Sequence, residues 1–278
     1  MRSILTSSEN LENFMQIGET RVRMSALRIL ILGLMGGMFI AFAGVASSAA
    51  VHTLGSAGLA RALAGAIFPG GLLMITFAGA ELFTGNMLLS IPCLGRRVKF
   101  RSAVKNISIA YAGNLAGSVL IAALCWGGGY FMTTGGLMGG YAISVAAQKS
   151  AIGFWQGLSS GILANALVCI AVWSAGAVKS AAGKVFCVYF PIAMFVISGF
   201  EHSIANMYFI PAGMFAKLSP VCVDQARTLG VTDAMLDNLN FSGFWQNLIP
   251  VTIGNMLGGI LLVGLTYWLA LRNKDKKA

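Results

Sequence analysis

Charge is what this chain has least of. Only 10% of its 278 residues are Asp, Glu, Lys or Arg, against 57% hydrophobic, and the mean hydropathy is +0.78. A soluble domain of this length cannot cover its surface with so few polar groups, so the composition indicates an integral membrane protein. Histidine is almost missing, with His52 and His202 alone. No His-x-x-x-His spacing exists and no nucleophile is arranged with a base, so neither a metal site nor an enzyme is expected. The five cysteines, Cys93, Cys125, Cys169, Cys187 and Cys222, lack paired metal spacing and read as small core residues, with no disulfide assigned. Alternation in units of about ten residues is also missing, which favours helices over a barrel. No basic stretch followed by a short apolar segment and a cleavage site opens the chain, so no removed signal peptide is expected.

What is present is a set of long apolar runs, which divide into six spans: about 26–50, 63–91, 103–132, 151–175, 185–215 and 244–271. Residues 1–25 form a polar segment with Leu11, Phe14 and Met15 at helical spacing, an amphipathic helix lying under the bundle or at the membrane surface. Residues 26–272 form one transmembrane domain, and 273–278 a short tail. The net charge of +10 would suggest nucleic acid in a soluble protein; here topology accounts for it. Fifteen of the 19 basic residues fall on one side, and only Arg61, Lys149, Lys217 and Arg227 on the other, so the positive-inside rule puts both termini in the cytoplasm.

Two stretches interrupt the apolar runs in the same way. Gly79-Ala80-Glu81-Leu82-Phe83-Thr84-Gly85-Asn86-Met87 and Gly199-Phe200-Glu201-His202-Ser203-Ile204-Ala205-Asn206-Met207 share the frame Gly-x-Glu, four residues, Asn-Met, at an offset of 120 residues. A second matched pair, Gly113-Asn114 to Gly117 and Gly254-Asn255 to Gly258, is offset by 141, with Asn106 and Asn247 each eight residues earlier. Gly33 and Gly37 of the first span match Gly157 and Gly161 of the fourth, small-xxx-small faces for close helix approach. Three spans per half is odd, so the second copy enters the membrane inverted. The fold class is an all-α, six-helix membrane protein built as an inverted 3+3 repeat, with the second and fifth helices broken around Glu81 and Glu201. The third span is read to about Met132, and Pro92 is read as ending the second.

Matching interruptions point to a substrate site at the repeat interface. His202 titrates near neutral pH and, at the midplane, donates a hydrogen bond or a proton to a passing solute. Thr84, at the position equivalent to Ile204, offers a hydroxyl toward it. Glu201 and Glu81 are assigned structural roles: capping freed backbone N–H groups or, for Glu201, meeting Asn114, Asn255 or Asn165 on neighbouring helices. Asn86 and Asn206 belong to the same polar support. Lys149 has two readings of equal standing, an interfacial snorkelling lysine and an attractor of anions at the pore mouth. Phe68, Leu72, Phe83 and Phe195 are candidates for narrow apolar constrictions, with Leu82 beside them on the pathway, although aromatics in a bundle more often simply pack. His52 reads as a wetted interfacial histidine.

These motifs, with Gly161-Ile162-Leu163-Ala164-Asn165 and the run from Asn247 to Asn255, resemble the formate/nitrite transporter family of bacterial anion channels over about residues 26–271. The resemblance implies an aquaporin-like fold assembled as a homopentamer in the bacterial inner membrane, with a pore in each protomer and no cofactor. It carries the family's central histidine onto His202, the loop threonine onto Thr84, the outer lysine onto Lys149, the asparagine beside the pore onto Asn165, the glutamate onto Glu201 and the constrictions onto Phe68, Leu72, Phe83 and Phe195. The implied partners are protons and a small monovalent weak-acid anion: formate first, with nitrite or hydrosulfide as alternatives. A water or glycerol channel is the rival from another class; the paired Asn-Pro-Ala caps of such channels are missing here, since neither Asn86 nor Asn206 precedes proline.

Overall fold

The computed structural model describes residues 3–272, so the tail 273–278 lies outside the described residues. Helices dominate, and one isolated bridge, Ile4 to Val178, is the extent of β pairing among the described residues. The polar opening forms α1 (Ser7–Val22), started by a capping box in which Glu9 N–H donates to Thr6 Oγ1 at 3.2 Å and Thr6 N–H to Glu9 Oε2 at 2.7 Å. Its apolar stripe of Leu11, Phe14 and Met15 is buried beneath the bundle, where Phe14 stacks on Trp173 at 5.0 Å. Arg97 ties the opposite face down by pairing with Glu12 and with Glu19.

Among the described residues, five stretches are long and apolar enough to cross a membrane. These are α2 (Ala26–Val51), the run Ala57–Ala78, α6 (Phe100–Gly127), α8 (Phe154–Ala177) and the run Phe241–Leu271. The spans differ from the sequence reading in ways that have local causes. The second starts at Ala57 rather than near 63, because Ser56 Oγ caps Leu59 N–H at 3.4 Å. It is divided at Pro69 into α3 (Ala57–Ile67) and α4 (Gly70–Ala78), since proline there lacks the N–H the turn needs. After the break come a 3₁₀ segment, Gly85–Leu89, and α5 (Ser90–Leu94). Pro92 therefore lies inside a helix that ends at Leu94, not at its terminus. The third span ends at Gly127, short of Met132. A helix left unassigned in the sequence, α7 (Leu137–Ser150), follows and packs on the helix Ser203–Ala216. The fifth span is split into α9 (Ala181–Ile197) and α10 (Ser203–Ala216), each too short to cross alone. Two short helices, α11 (Pro220–Thr228) and α12 (Asp233–Asn238), occupy the long loop. The last span is α13 (Phe241–Leu257), a π-helical stretch from Gly258 to Leu265, and α14 (Thr266–Leu271).

Two helix pairs carry the bundle: α2 with α6, and α8 with α13. Glycines make both pairings possible, one turn out of the register read from the sequence: Gly33, not Gly37, corresponds to Gly161. A Cβ on Gly33 would sit 3.0 Å from Ala110 O and one on Gly161 2.7 Å from Val251 O, the two contacted residues being 141 positions apart, so each backbone lies directly against its partner, whereas the nearest neighbours of Gly157 are side chains.

Candidate permeation pathway

Each break begins at a glycine in the left-handed region, Gly79 at φ +79° and Gly199 at φ +71°, which reverses the chain out of helix. Backbone groups freed this way inside an apolar bundle must find partners. One asparagine per half provides them. Asn114 Oδ1 accepts from Phe83 N–H at 2.9 Å while its Nδ2 donates to Glu81 O at 2.9 Å and Gly33 O at 2.7 Å. Asn255 Oδ1 accepts from Ser203 N–H at 2.9 Å while its Nδ2 donates to Glu201 O at 3.1 Å and Gly161 O at 2.8 Å.

The two carboxylates are held by a second repeated scheme. Glu201 Oε2 accepts from Asn206 Nδ2 at 2.6 Å and Asn247 Nδ2 at 3.3 Å, and Lys149 Nζ donates to Oε1 at 2.8 Å. Asn206 Nδ2 also reaches Asn247 Oδ1 at 2.7 Å, and Asn247 Nδ2 reaches Lys149 O at 2.9 Å. In the first half, Glu81 Oε2 accepts from Asn86 Nδ2 at 2.6 Å, and Asn86 Nδ2 reaches Asn106 Oδ1 at 2.9 Å. Arg21 of α1 takes the place of the lysine: its Nε lies 3.5 Å from Glu81 Oε1, its Nη1 donates to Asn86 Oδ1, and its carbonyl accepts from Asn106 Nδ2 at 3.4 Å.

This corrects one expectation. The Glu201 carboxylate meets Asn206, Asn247 and Lys149 rather than Asn114, Asn255 or Asn165. Asn255 is occupied with backbone, Asn114 serves the other break, and Asn165 Nδ2 donates to Thr84 O at 3.2 Å and Asn255 O at 2.6 Å. Lys149 fits neither of its two readings alone, because it is the half-buried counter-ion of Glu201 and also lines a chamber, 5.7 Å from the centroid of Phe209. His52 bonds Thr134 Oγ1 at 2.9 Å and the Ala49 carbonyl at 2.9 Å, away from the breaks.

Where the breaks meet, His202 Nε2 lies 3.0 Å from Thr84 Oγ1, and both side chains are buried. His202 is also the N-cap of α10. Its Nδ1 lies 3.2 Å from Ala205 N–H, a group that can only donate, so in the neutral ring Nδ1 accepts and the proton sits on Nε2. The imidazole is tilted against Phe195, with centroids 5.7 Å apart.

Three cavities connect through shared walls. A chamber of about 140 Å³ is lined by Lys149, Phe209, Phe68, Phe195 and His202. Phe68, Phe195 and His202 also bound a central void of about 10 Å³, closed on its other side by Leu72 and Leu82 with Ile40, Val168 and Ile192. Leu72 and Leu82 in turn bound a second chamber of about 230 Å³, which contains Arg21, Glu81, Asn86 and Lys184. The central void holds one water at most. The line of chambers is thus pinched by Phe68 with Phe195 on the Lys149 side and by Leu72 with Leu82 on the Arg21 side. Phe83 is not among its walls: it packs edge-on to Tyr111 at 4.6 Å and faces an apolar groove on the bundle surface. The reason is the non-helical path of residues 80–84, along which helical spacing no longer says which way a side chain points. Thr84 and Asn165 reach the site through hydrogen bonds and line none of the three cavities.

Arg21, Lys184, Phe209 and the carboxylate contact of Asn247 were missed in the sequence. Asn106 and Asn247 were visible as a matched pair; Arg21 gave no signal, because it stands in a polar segment where a charge is unremarkable.

Comparison with known proteins agrees with this geometry. The profile of the formate/nitrite transporter family matches residues 8–269. The formate channel FocA of Escherichia coli strain K12 is 39% identical over 254 residues, covering 90% of this chain and 88% of its own. Among solved structures, a pentameric formate channel with formate bound superposes with a TM-score of 0.77 at 33% identity, over 88% of this chain and 97% of that one. An ion channel of the same family superposes with a TM-score of 0.81 at 26% identity, over 94% and 98%. A match across nearly the whole chain, on top of a hydrogen-bonded pair buried between two chambers, leads to one conclusion: this chain belongs to the formate/nitrite transporter family.

Proposed function

We propose that the chain is a channel for small monovalent weak-acid anions, formate first, that passes them in protonated form through a pore in each protomer of a homopentamer. The similarity to the formate channel of Escherichia coli and to a pentameric formate channel supports this reading. The observation that carries it is the buried pair His202 and Thr84 at a void of about 10 Å³, with a cation facing the chamber on either side. The repeated bonding schemes of Asn114 and Asn255 support an inverted 3+3 arrangement, and the basic residues support cytoplasmic termini in a bacterial inner membrane.

Lys149 and Arg21 raise the local concentration of an anion in the two chambers. A bare anion entering the apolar pinch pays a large desolvation penalty, while its conjugate acid does not. A small carboxylic acid with a pKa near 4 is only about a thousandth protonated at neutral pH, so enrichment in a chamber multiplies a scarce species. His202 is the polar side chain that lines the central void, and a solute there that takes the Nε2 proton from Thr84 Oγ1 gains the polar contact that a desolvated acid otherwise lacks. Giving up a proton outright would require the imidazolium, whose second proton would sit on Nδ1 and break the bond from Ala205 N–H. Hence His202 acts as a hydrogen-bond donor, and the proton enters with the solute from chamber water, which makes transport a net proton symport.

Flux of formate, nitrite and hydrosulfide into proteoliposomes, compared side by side across a pH series with water and glycerol as neutral solutes, tests the reading. Formate uptake should exceed the others and rise as pH falls. Faster glycerol than formate would overturn it, and faster nitrite or hydrosulfide would keep the mechanism but change the substrate.

A further inference from the structure

Away from the pathway, the faces of α6 and α13 carry two apolar grooves. In the wall of the first, the hydroxyls of Tyr111 and Thr252 meet at 2.9 Å, and these two residues are separated by the same 141 positions as Asn114 and Asn255. One groove, of about 600 Å³, uses the beginning of α6 (Val104, Ser108) and the end of the last span (Met256, Leu261), with Phe83 and Met87 of the broken segment as its floor. The other, of about 450 Å³, uses the later part of α6 (Leu115, Val119) and the start of α13 (Phe241, Trp245), with Met214 and Phe215 of α10. Shape and apolarity are thus shared.

Charge is not. The first groove ends among cations: Arg96 and Lys99 precede α6, Arg101 and Lys105 lie exposed one turn apart on the flank that continues to Ser108, and Arg272 stacks on Trp268 at 4.5 Å beyond Leu261. Arg96, Lys99, Arg101, Lys105 and Arg272 join no ion pair among the described residues. At the second groove, α6 carries no charge beyond Val119, and Lys217 is spent on the carbonyls of Leu236 and Leu239 at 2.5 and 3.2 Å.

We propose that the first groove binds an anionic phospholipid, with an acyl chain against Val104, Met256 and Leu261 and the headgroup phosphate at Arg101 and Lys105. An apolar slot between transmembrane helices closed by cations at the membrane boundary has the chemistry of such a site. A second copy of this chain is a poorer occupant. Of the nine acidic residues, Glu12 and Glu19 hold Arg97, Glu9 caps its own helix, Glu81 and Glu201 are buried in their pairs, Asp224, Asp233 and Asp237 lie in the loop beside the second groove, and Asp275 is in the tail. Among the described residues, no acidic stripe faces the membrane edge to meet these cations.

Native mass spectrometry of the intact assembly released from phosphatidylcholine nanodiscs with a minor fraction of phosphatidylglycerol reads the bound lipid directly. Phosphatidylglycerol should be retained well above its share, and Arg101→Gln with Lys105→Gln should reduce that enrichment by about fivefold for each cation removed. Val104→Trp, which fills the slot, should abolish it, and Val119→Trp in the second groove should leave it unchanged. If Val104→Trp does not assemble, Ser108→Phe serves the same purpose. Absence of enrichment in the unaltered chain, enrichment that survives loss of both cations, or enrichment that survives a filled slot would each overturn the proposal. So would a Ser108→Cys thiol shielded from maleimide by an adjacent copy in the lipid-free assembly.

Discussion

The two halves of this molecule solve one problem with the same hydrogen bonds and different side chains at the critical position. Glu81 and Glu201, Asn86 and Asn206, Asn106 and Asn247, and Asn114 and Asn255 share their main bonds, although Asn247 alone adds a bond to its carboxylate, at 3.3 Å, and Asn86 alone has an arginine on its Oδ1. The residue after the glutamate does not: it is Leu82 in one half and His202 in the other. Two positions further on, the pattern reverses, with Thr84 opposite Ile204. Each half therefore contributes one polar group and one apolar one, so that a single hydroxyl–imidazole contact forms in an otherwise apolar centre. Local structure follows the same difference. His202 caps its half-helix through Nδ1, and α10 runs 14 residues as α-helix; Thr84 makes no side-chain cap, and Gly85–Leu89 winds as 3₁₀. A shared bonding scheme holds both breaks, and departure from it produces the contact between His202 and Thr84.

The counter-cations differ as well. Lys149 comes from the end of α7 and lies 2.8 Å from its carboxylate, with side-chain exposures of 18% and 12%; Arg21 comes from α1, is 30% exposed, and keeps 3.5 Å from Glu81. The largest expected effect follows from that contrast. Lys149→Met leaves Glu201 without its cation and should cost about 3–5 kcal/mol of stability, whereas Arg21→Met, which gives up a longer contact from a more exposed side chain but still leaves Glu81 buried at 5% exposure, should cost less than Lys149→Met. Thermal unfolding of both variants in detergent measures the difference, and equal losses would break the contrast. Next, Asn114→Ala and Asn255→Ala each orphan buried backbone groups worth about 1–3 kcal/mol apiece. The equivalence of the halves requires matching losses; a variant that destabilised only one half's unfolding would show that the schemes are not interchangeable. A smaller effect is expected from His202→Asn, which keeps an N-cap and a donor. Formate flux should fall about tenfold, by the loss of one well-placed hydrogen bond, with its pH profile retained. A flattened profile would return the proton-donor role to the imidazole. Smallest of all, Leu72→Ala and Phe195→Leu should widen the two pinches and raise flux by a factor of a few, read in the same liposomes.

Much of this was legible from residues that violate their surroundings. A glutamate beside a glycine in an apolar run is costly enough to mark a site, which is why both breaks, and the pairing of His202 with Thr84, could be placed without coordinates. Arg21 could not, because a cation in the polar segment 1–25 violates nothing, and its role depends on where α1 docks. The side chains on irregular backbone were equally hidden. Phe83 reads as a pore residue only if helical spacing is carried through a stretch that is not helical. Nor did α7 announce itself, since Gly139 and Gly140 interrupt its apolar pattern and it is only 14 residues long.

The most direct test of the central claim is formate flux into proteoliposomes at fixed total formate, measured across pH 7 to 5 with and without an imposed membrane potential. Passage as the neutral acid predicts uptake that rises as pH falls, by up to about tenfold per unit while the acid is scarce, and that ignores the potential. Uptake that follows the potential and stays flat with pH would contradict it.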